Sequence, residues 1–286
     1  MVGFVLPSGR LFFFGELTDL LELKLREHDY RMLVVHSRNS KKHEEEMVPD
    51  LLARGVDGLF WIPLSSRISR KQYQLPRNFP LVILDRPDCC VNTSHVVTDN
   101  REASRALARK IQGFGHQRIA VLNASSSDRS MKDRLLGLRD VFGKRILVRE
   151  VDNDPVEARA ASLKLMRQAS PPRFLLALSE PLAMGALVGI KESGREIPRD
   201  VSFAAFDDFP MAKFWSPAIS VVRQDMTSIA SLAVRTMLEQ IAAPKPLVRR
   251  EVVPAEVQWR DSVLNEAGDF QASVVWRASR RHAVSF

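Results

Sequence analysis

Residues 174–206 read FLLALSEPLAMGALVGIKESGREIPRDVSFAAF. The two ends of this stretch, FLLAL (174–178) and VSFAAF (201–206), are short apolar runs without polar alternation, the pattern of a strand covered on both faces. Between them, residues 180–193 have helical spacing and stop at Gly194, a residue suited to ending a helix. A strand–helix–strand unit of this length lays its second strand parallel to the first.

The same unit recurs outward in both directions. Upstream lie RIAVL (118–122), a helix over 130–142, RILVREV (145–151) and a helix over 155–168. Before them come VGFVL (2–6), a helix from Phe14 to Arg26 with Leu17, Leu20, Leu21 and Leu25 on one face, and RMLVVH (31–36). Next are a helix over 41–54 with Asn39 and Ser40 as cap candidates, GLFWI (58–62), LVILD (81–85) and a helix over 100–113. Downstream, ISVVR (219–223), a helix over 226–242 and LVRREVV (247–253) close the series. The pattern predicts an α/β protein of two doubly wound, parallel-sheet lobes. Ligands bind such sheets outside the carboxyl ends of the strands, so two facing lobes would hold a ligand in a cleft between them. The segment PLSSRISRKQYQLPRNF (63–79) is polar and basic, and reads as a surface loop or a flexible flap.

With 286 residues, the chain can bury two cores. Hydrophobic residues make up 45% and charged residues 27%, and no apolar run approaches the ~20 residues that span a bilayer. The N-terminus lacks the basic start and long apolar stretch of a secretory signal. Cys89 and Cys90 are neighbours and cannot staple distant segments. A cytoplasmic protein with free thiols and no metal is expected. The net charge of +8 invites a nucleic-acid reading, but residues 1–99 hold 13 basic against 13 acidic side chains. The excess is spread over residues 100–286 and reads as solvated surface. The run KKHEEE (41–46) reads as an exposed first helical turn.

Catalytic signatures are missing. No G-x-G-x-x-G follows a strand, no P-loop or G-x-S-x-G elbow occurs, and the six histidines form no zinc-binding pair. Asp207 and Asp208 are adjacent and would point oppositely in an extended segment. A binding module without a cofactor explains this inventory better than an enzyme.

Several segments, in order, resemble the effector-binding core of the lactose-repressor/galactose-repressor family, which is similar in fold to periplasmic sugar-binding proteins. They are LFFFGELTDLLELKLREHDYRMLVV, LLARGVDGLFWI, LVILDR with VVTDN, GFGHQRIAVL, RSMKDRLLGL, ALSEPLAMGALVGIKESGREIPRDVSFAAFDD, VVRQDM and PAEVQWRDS. Together they run from about Val2 to Ser262. Leu11-Phe12 stands where the family usually has Asn-Pro, and Glu180 replaces its usual Asp. The resemblance implies a regulator whose DNA contacts are made by an N-terminal helix-turn-helix that this chain does not contain. The alternative is a stand-alone sugar-binding protein.

The ligand-site candidates follow from both readings. Arg134 lies near the start of a helix after RIAVL, and its guanidinium fork can grip vicinal hydroxyls or a carboxylate. The resemblance makes it an effector ligand; a surface ion pair is the plainer role. Asp207 ends VSFAAF, and its family counterpart accepts hydroxyl hydrogen bonds; a cap is the alternative, and Asp208 reads as the capping partner. Asp85 ends LVILD and either approaches the ligand or pairs with Arg86. Ser130, one turn before Arg134, bonds the ligand or caps its helix. Phe14 stacks on a ligand or packs in the core. Gln224 and Ser179 match positions that contact sugar in some members, and Asp99 reads as structural. Ser125–Ser127 offer hydroxyls and N–H groups suited to an anion, opposed by Asp128 and Asp133. Trp61 and Trp259 read as core.

The resemblance also implies a small-molecule effector, a sugar or sugar derivative, and a homodimer. Helix 41–54 (Met47, Val48, Leu51, Leu52) carries more apolar content than one buried face requires, which suits a dimer contact. The expected lobes are 1–98 with 226–256, and 99–225 with 257–262. Hinges fall near Thr98–Arg101, Gln224–Met226 and Pro254–Val257. Residues 263–286, with Trp276, Arg277, Arg280 and Arg281, form an extra tail.

Overall fold

The computed structural model describes residues 1–266 apart from Arg10, Asp88, Val91, 125–128 and 244–246. The Ser125–Ser127 run and the arginine-bearing part of the tail lie outside the described residues. The chain starts β1 (Val2–Leu6), α1 (Phe12–Arg26), β2 (Met32–His36), α2 (Lys41–Ala53), β3 (Gly58–Trp61), β4 (Leu81–Leu84) and β5 (Ser94–Thr98). It continues α3 (Asn100–Gly113), β6 (Ile119–Ala124), α4 (Arg129–Phe142), β7 (Ile146–Val151), α5 (Pro155–Met166), β8 (Phe174–Ala177), α6 (Glu180–Glu192) and β9 (Ser202–Phe206). It ends α7 (Pro210–Phe214), β10 (Ser220–Gln224), α8 (Met226–Ala242), β11 (Arg250–Val253) and β12 (Ala255–Gln258).

The residues fall into two units. Unit 1 comprises Met1–Asn100, Ser126–Asp133 and Gln224–Glu256; unit 2 comprises Arg101–Ser125, Arg134–Arg223 and the chain from Val257. Unit 1 holds a six-stranded sheet in the order β2-β1-β3-β4-β5-β11, with every pairing parallel. Unit 2 repeats the order as β7-β6-β8-β9-β10-β12, parallel from β7 to β10. Each strand of one sheet therefore has a counterpart in the other.

The unbroken apolar runs are explained by burial on both faces of the sheet. In unit 1, Phe4, Leu6, Phe60, Val82 and Leu84 pack with Leu17, Leu21 and Leu25 of α1 and with Ile229, Ala233 and Met237 of α8. Val5, Leu59, Trp61, Leu81 and Ile83 alternate onto the other cluster, with Val48 and Leu51 of α2. The apolar content of α2 is thus spent on the core. Val48 and Leu51 are fully buried, Leu52 is half-buried against the same cluster, and Met47 is half-buried.

The segment 63–79 is strapped down rather than a flap. The carboxylate of Glu44, fully buried within the KKHEEE run, accepts hydrogen bonds from the Leu64 N–H (2.9 Å) and the Tyr73 hydroxyl (3.1 Å). Tyr73 meets the buried Trp61 ring edge-on at 4.6 Å, and Ile68 and Leu75 are buried beneath the loop. Burial pushes the Glu44 carboxyl group above the usual carboxylate range. One residue of the charge run is therefore a buried anchor, and its neighbours are the exposed turn.

In unit 2 the helices close on one another through glycine. A Cβ on Gly137 of α4 would run into the backbone of α3 at Arg101 and lie 3.0 Å from the Arg105 nitrogen. This close approach seats α4 three residues after Arg134. Three elements escape the sequence pattern: β5, β12 and the short α7. The terminal run LVRREVV forms a strand only over Arg250–Val253, and RILVREV opens with a 3-10 turn, Gly143–Arg145. Trp61 is core as expected, whereas Trp259 is half-buried against Phe114, 5.0 Å between ring centres.

Candidate functional site

In unit 2, the carboxyl ends of β8 and β9 and the first turns of α4 bring polar groups together. Arg134 is 3% exposed. Its Nη1 donates to the Leu178 carbonyl at 2.7 Å, just past β8. The same guanidinium faces the Asp207 carboxylate, with Nη1 to Oδ2 at 3.3 Å and Nη2 to Oδ1 at 3.5 Å. The Phe206 ring lies 3.7 Å from Arg134 Cζ, so the flat face of the cation rests on an aromatic surface. Asp207 itself has φ of 76°, and its N–H donates to the Val222 carbonyl of β10 at 3.0 Å. A non-glycine residue held in the left-handed region costs of order 1–3 kcal/mol and is retained where the position serves a purpose.

Asp208 turns away from this pair. Its carboxylate pairs with Arg260 at 2.9 and 3.0 Å. It is an anchor for the segment after β12 and not a helix cap, because the N-cap of α7 is Phe209, without a side-chain cap bond. Ser179, at the start of α6, donates its hydroxyl to Asn153 Oδ1 at 2.6 Å and makes no cap bond to its helix. Asn123, near the end of β6, is buried, and its Oδ1 has no partner among the described residues. An unsatisfied buried acceptor beside Leu178 is a place for a donor. Its signal in the sequence was one polar side chain inside an otherwise apolar strand.

In unit 1 the corresponding strand end is Asp85, past β4. It too is left-handed, with φ of 57°, and its N–H donates to Val96 of β5 at 3.2 Å. Its carboxylate pairs with Arg86. The Ser130 hydroxyl donates to the Asp85 carbonyl at 2.6 Å and to its carboxylate at 3.4 Å. Ser130 thus spends its hydroxyl on Asp85. Gln224, ending β10, accepts from the buried Thr98 hydroxyl. Phe14 is 5% exposed, packs in the core of α1 and stacks edge-on with Phe13 at 5.4 Å. Its aromatic surface is consumed there, and the adjacent Phe13 is the half-buried ring. Asp99 donates its N–H to Val253 at 2.8 Å.

Arginine, carboxylate, hydroxyl and amide groups at strand ends suit a neutral, hydroxyl-rich ligand. A carboxylate accepts from two adjacent hydroxyls while a guanidinium donates to their oxygens. Among the described residues, no group of histidine, cysteine or acidic side chains could hold a metal ion, and no helix is long and apolar enough to cross a membrane.

Comparison with known proteins agrees with this fold. Residues 108–263 match the family described as periplasmic binding protein-like domain. The chain is similar to the ribose operon repressor of Haemophilus influenzae, 22% identical over 268 residues that cover 92% of this chain and 80% of that one. It superimposes on a LacI family transcriptional regulator from Enterococcus faecalis V583 with bound ribose, with a TM-score of 0.83 at 20% identity, covering 92% of this chain and 98% of that one. The dimeric Lac repressor with an 11-residue C-terminal deletion gives a TM-score of 0.81 at 19% identity, with the same coverage. These relatives are transcriptional repressors and regulators, not enzymes, and they carry the resemblance read from the ordered motifs. More than half of the sequence lies within the matched profile, and the chain belongs to the periplasmic binding protein-like domain family.

Proposed function

We propose that this chain is the effector-sensing part of a transcriptional regulator of the lactose-repressor type, and that its effector is a sugar or a related polyol. The observation that carries this reading is the Arg134–Asp207 pair, laid on Phe206 at the carboxyl end of the unit 2 sheet. The names of the relatives support it: one represses a ribose operon and another holds ribose. Arg134 and Asp207 are the principal ligand contacts, with Ser179 and Asn123 beside them. Asp85, Ser130 and Gln224 contribute from unit 1. Phe14 serves the core.

A ligand regulates only if it binds one arrangement of the protein more tightly than another. The proposal is that an effector engages residues of both units, favours a closed arrangement and alters the relation between the subunits of a homodimer. DNA contacts then belong to a helix-turn-helix outside this sequence. The dimeric Lac repressor supports a second copy as the partner. So do Phe214 and Met211 of α7, 80% and 45% exposed, which offer apolar surface that the fold itself does not use.

The test is a thermal-shift screen of sugars, sugar phosphates and nucleobases, followed by calorimetry on the hits and by solution scattering. A hydroxyl-rich hit that reduces the radius of gyration and loses affinity in Asp207→Ala supports the reading. A hit whose affinity is the same in Asp207→Ala and Arg134→Ala refutes the site.

A further inference from the structure

The amino ends of the unit 1 strands hold a cavity that the effector reading does not use. It has a volume of about 650 Å³, within the range of small-molecule sites. Its lining is polar and cationic: Arg70, Arg77, Asn78, Asn92, Thr93 and Ser94 contribute, and among the described residues no acidic side chain does. Segment 63–79 carries Arg67, Arg70, Lys71 and Arg77 and no acid, and two of these four, Arg70 and Arg77, line the cavity.

The floor is built and saturated. Gln240 of α8 accepts from the Leu81 N–H at 2.8 Å and donates to the Ser94 hydroxyl at 2.8 Å. Ser94 also accepts from the Arg249 N–H at 2.9 Å. The Arg249 side chain is paired with Glu239, which neutralises the nearby carboxylate. The wall is provided by Arg70, whose Nη1 is spent on the carbonyls of Pro76 and Phe79 at 3.1 and 3.0 Å. Those two bonds fix the guanidinium plane and leave Nε and Nη2 without partners among the described residues. Arg77 is exposed and makes no ion pair among the described residues. Leu247 and Val248, 74% and 46% exposed, add an apolar lip.

Two arginines without an acidic partner among the described residues, one of them pre-oriented by its own loop, match a doubly charged oxyanion gripped by guanidinium forks. The apolar lip and the volume leave room for the carbon body that carries it. We propose that the Arg70–Arg77 cavity at the amino ends of β4 and β5 is a second ligand site, which takes a phosphomonoester of a small metabolite. It lies at the opposite end of β4 from Asp85, four residues or about 13 Å away. A ligand there would be a second input to the same sheet, independent of whether the strand-end site binds sugar. Partial burial lowers the Arg70 pKa from its ordinary value, opposed by the neighbouring Cys90.

The test is an amide-resolved NMR titration of the full chain with inorganic phosphate, glucose 6-phosphate and glucose. The expected result is that both phosphates shift Thr93, Ser94 and the Gln240 side-chain amide, that glucose 6-phosphate binds more tightly than phosphate, and that glucose leaves these signals in place. Arg77→Ala should weaken glucose 6-phosphate at least tenfold with the folded spectrum preserved, and Arg77→Lys should restore part of that loss. Arg77 is the residue to change because Arg70 also ties the loop. Equal affinity in Arg77→Ala overturns the proposal, as do shifts confined to the Arg134–Asp207 end. Equal binding of phosphate and glucose 6-phosphate overturns the metabolite assignment, and a short DNA duplex that displaces these signals more strongly than glucose 6-phosphate overturns the small-molecule assignment.

Discussion

The two units share one strand order and one device, and they differ in how the device is completed. In each, the fourth strand along the sheet ends in a left-handed aspartate whose N–H bonds to the next strand, Asp85 to Val96 and Asp207 to Val222. Asp85 takes its arginine from the next residue. Asp207 takes its arginine from α4, 73 residues away in sequence and nearly sealed from solvent. The repeated topology therefore supplies the position of the carboxylate, while the partner is a local feature in unit 1 and a product of tertiary folding in unit 2.

That difference has consequences for stability. Arg134→Ala strands the Leu178 carbonyl and the Asp207 carboxylate, and removing one partner of a buried pair costs about 3 kcal/mol. Arg86→Ala removes a contact between neighbours that the unfolded chain can also make, and should cost about 1 kcal/mol. Urea unfolding of the two variants measures the contrast. Equal losses would mean that the two arginines are equivalent after all.

A smaller contrast concerns glycine. In unit 2, a Cβ on Gly137 meets the backbone of α3, which cannot give way. In unit 1, a Cβ on Gly58 meets the end of the Met237 side chain, a flexible group, and lies 3.2 Å from Pro80 Cβ, with no backbone atom among its nearest neighbours. Gly137→Ala should cost about 2 kcal/mol and Gly58→Ala less than about 1 kcal/mol. Thermal melts of both variants decide it; a larger loss for Gly58→Ala would place the tighter packing in the wrong unit.

The smallest effect is on pH dependence, and it has opposite sign in the two units. The Glu44 carboxyl of unit 1 is raised by burial. The folded state therefore holds a proton that the unfolded state has released, and stability falls as pH rises from the unfolded value near 4.5 through the folded one. The His116 ring of unit 2 is lowered, chiefly by burial, against Leu264 and Glu266. The unfolded state then binds more protons, and stability falls as pH drops below about 6.5. Glu44→Gln should flatten the first slope and His116→Gln the second, in denaturation curves taken from pH 4.5 to 8. An unchanged slope in either variant would remove that residue from the pH response.

Most strands and helices were legible in the sequence because both faces of each sheet are covered, so the strands stand out as unbroken apolar runs. The short SHVVT and AEVQ segments were not, since four or five residues with mixed polarity give no periodic signal. Arg134 and Asp207 could be named from their motifs, but their contact could not, because nothing local to either residue points to the other. Glu44 was hidden for a related reason: a charge run reads as a solvated turn, and only the fold shows which carboxylate is turned inward to accept from Leu64 and Tyr73. Phe14 could equally have been ligand or core, and the packing of α1 decides for the core. Val48, Leu51 and Leu52 of helix 41–54 share one cluster with Ile68, Tyr73 and Leu75 of the loop 63–79, a long-range packing that no local pattern announces.

The central claim is that the tertiary pair Arg134–Asp207 holds a hydroxyl-rich effector. Its most direct test is calorimetric titration of a screened sugar hit against the wild-type chain and Asp207→Asn. This variant keeps the shape and one acceptor but loses the charge. The expected result is an affinity lower by about 30-fold or more, corresponding to loss of a charged hydrogen bond worth about 2 kcal/mol, with the melting transition still cooperative. An affinity within about twofold of wild type, from a folded variant, would contradict the claim.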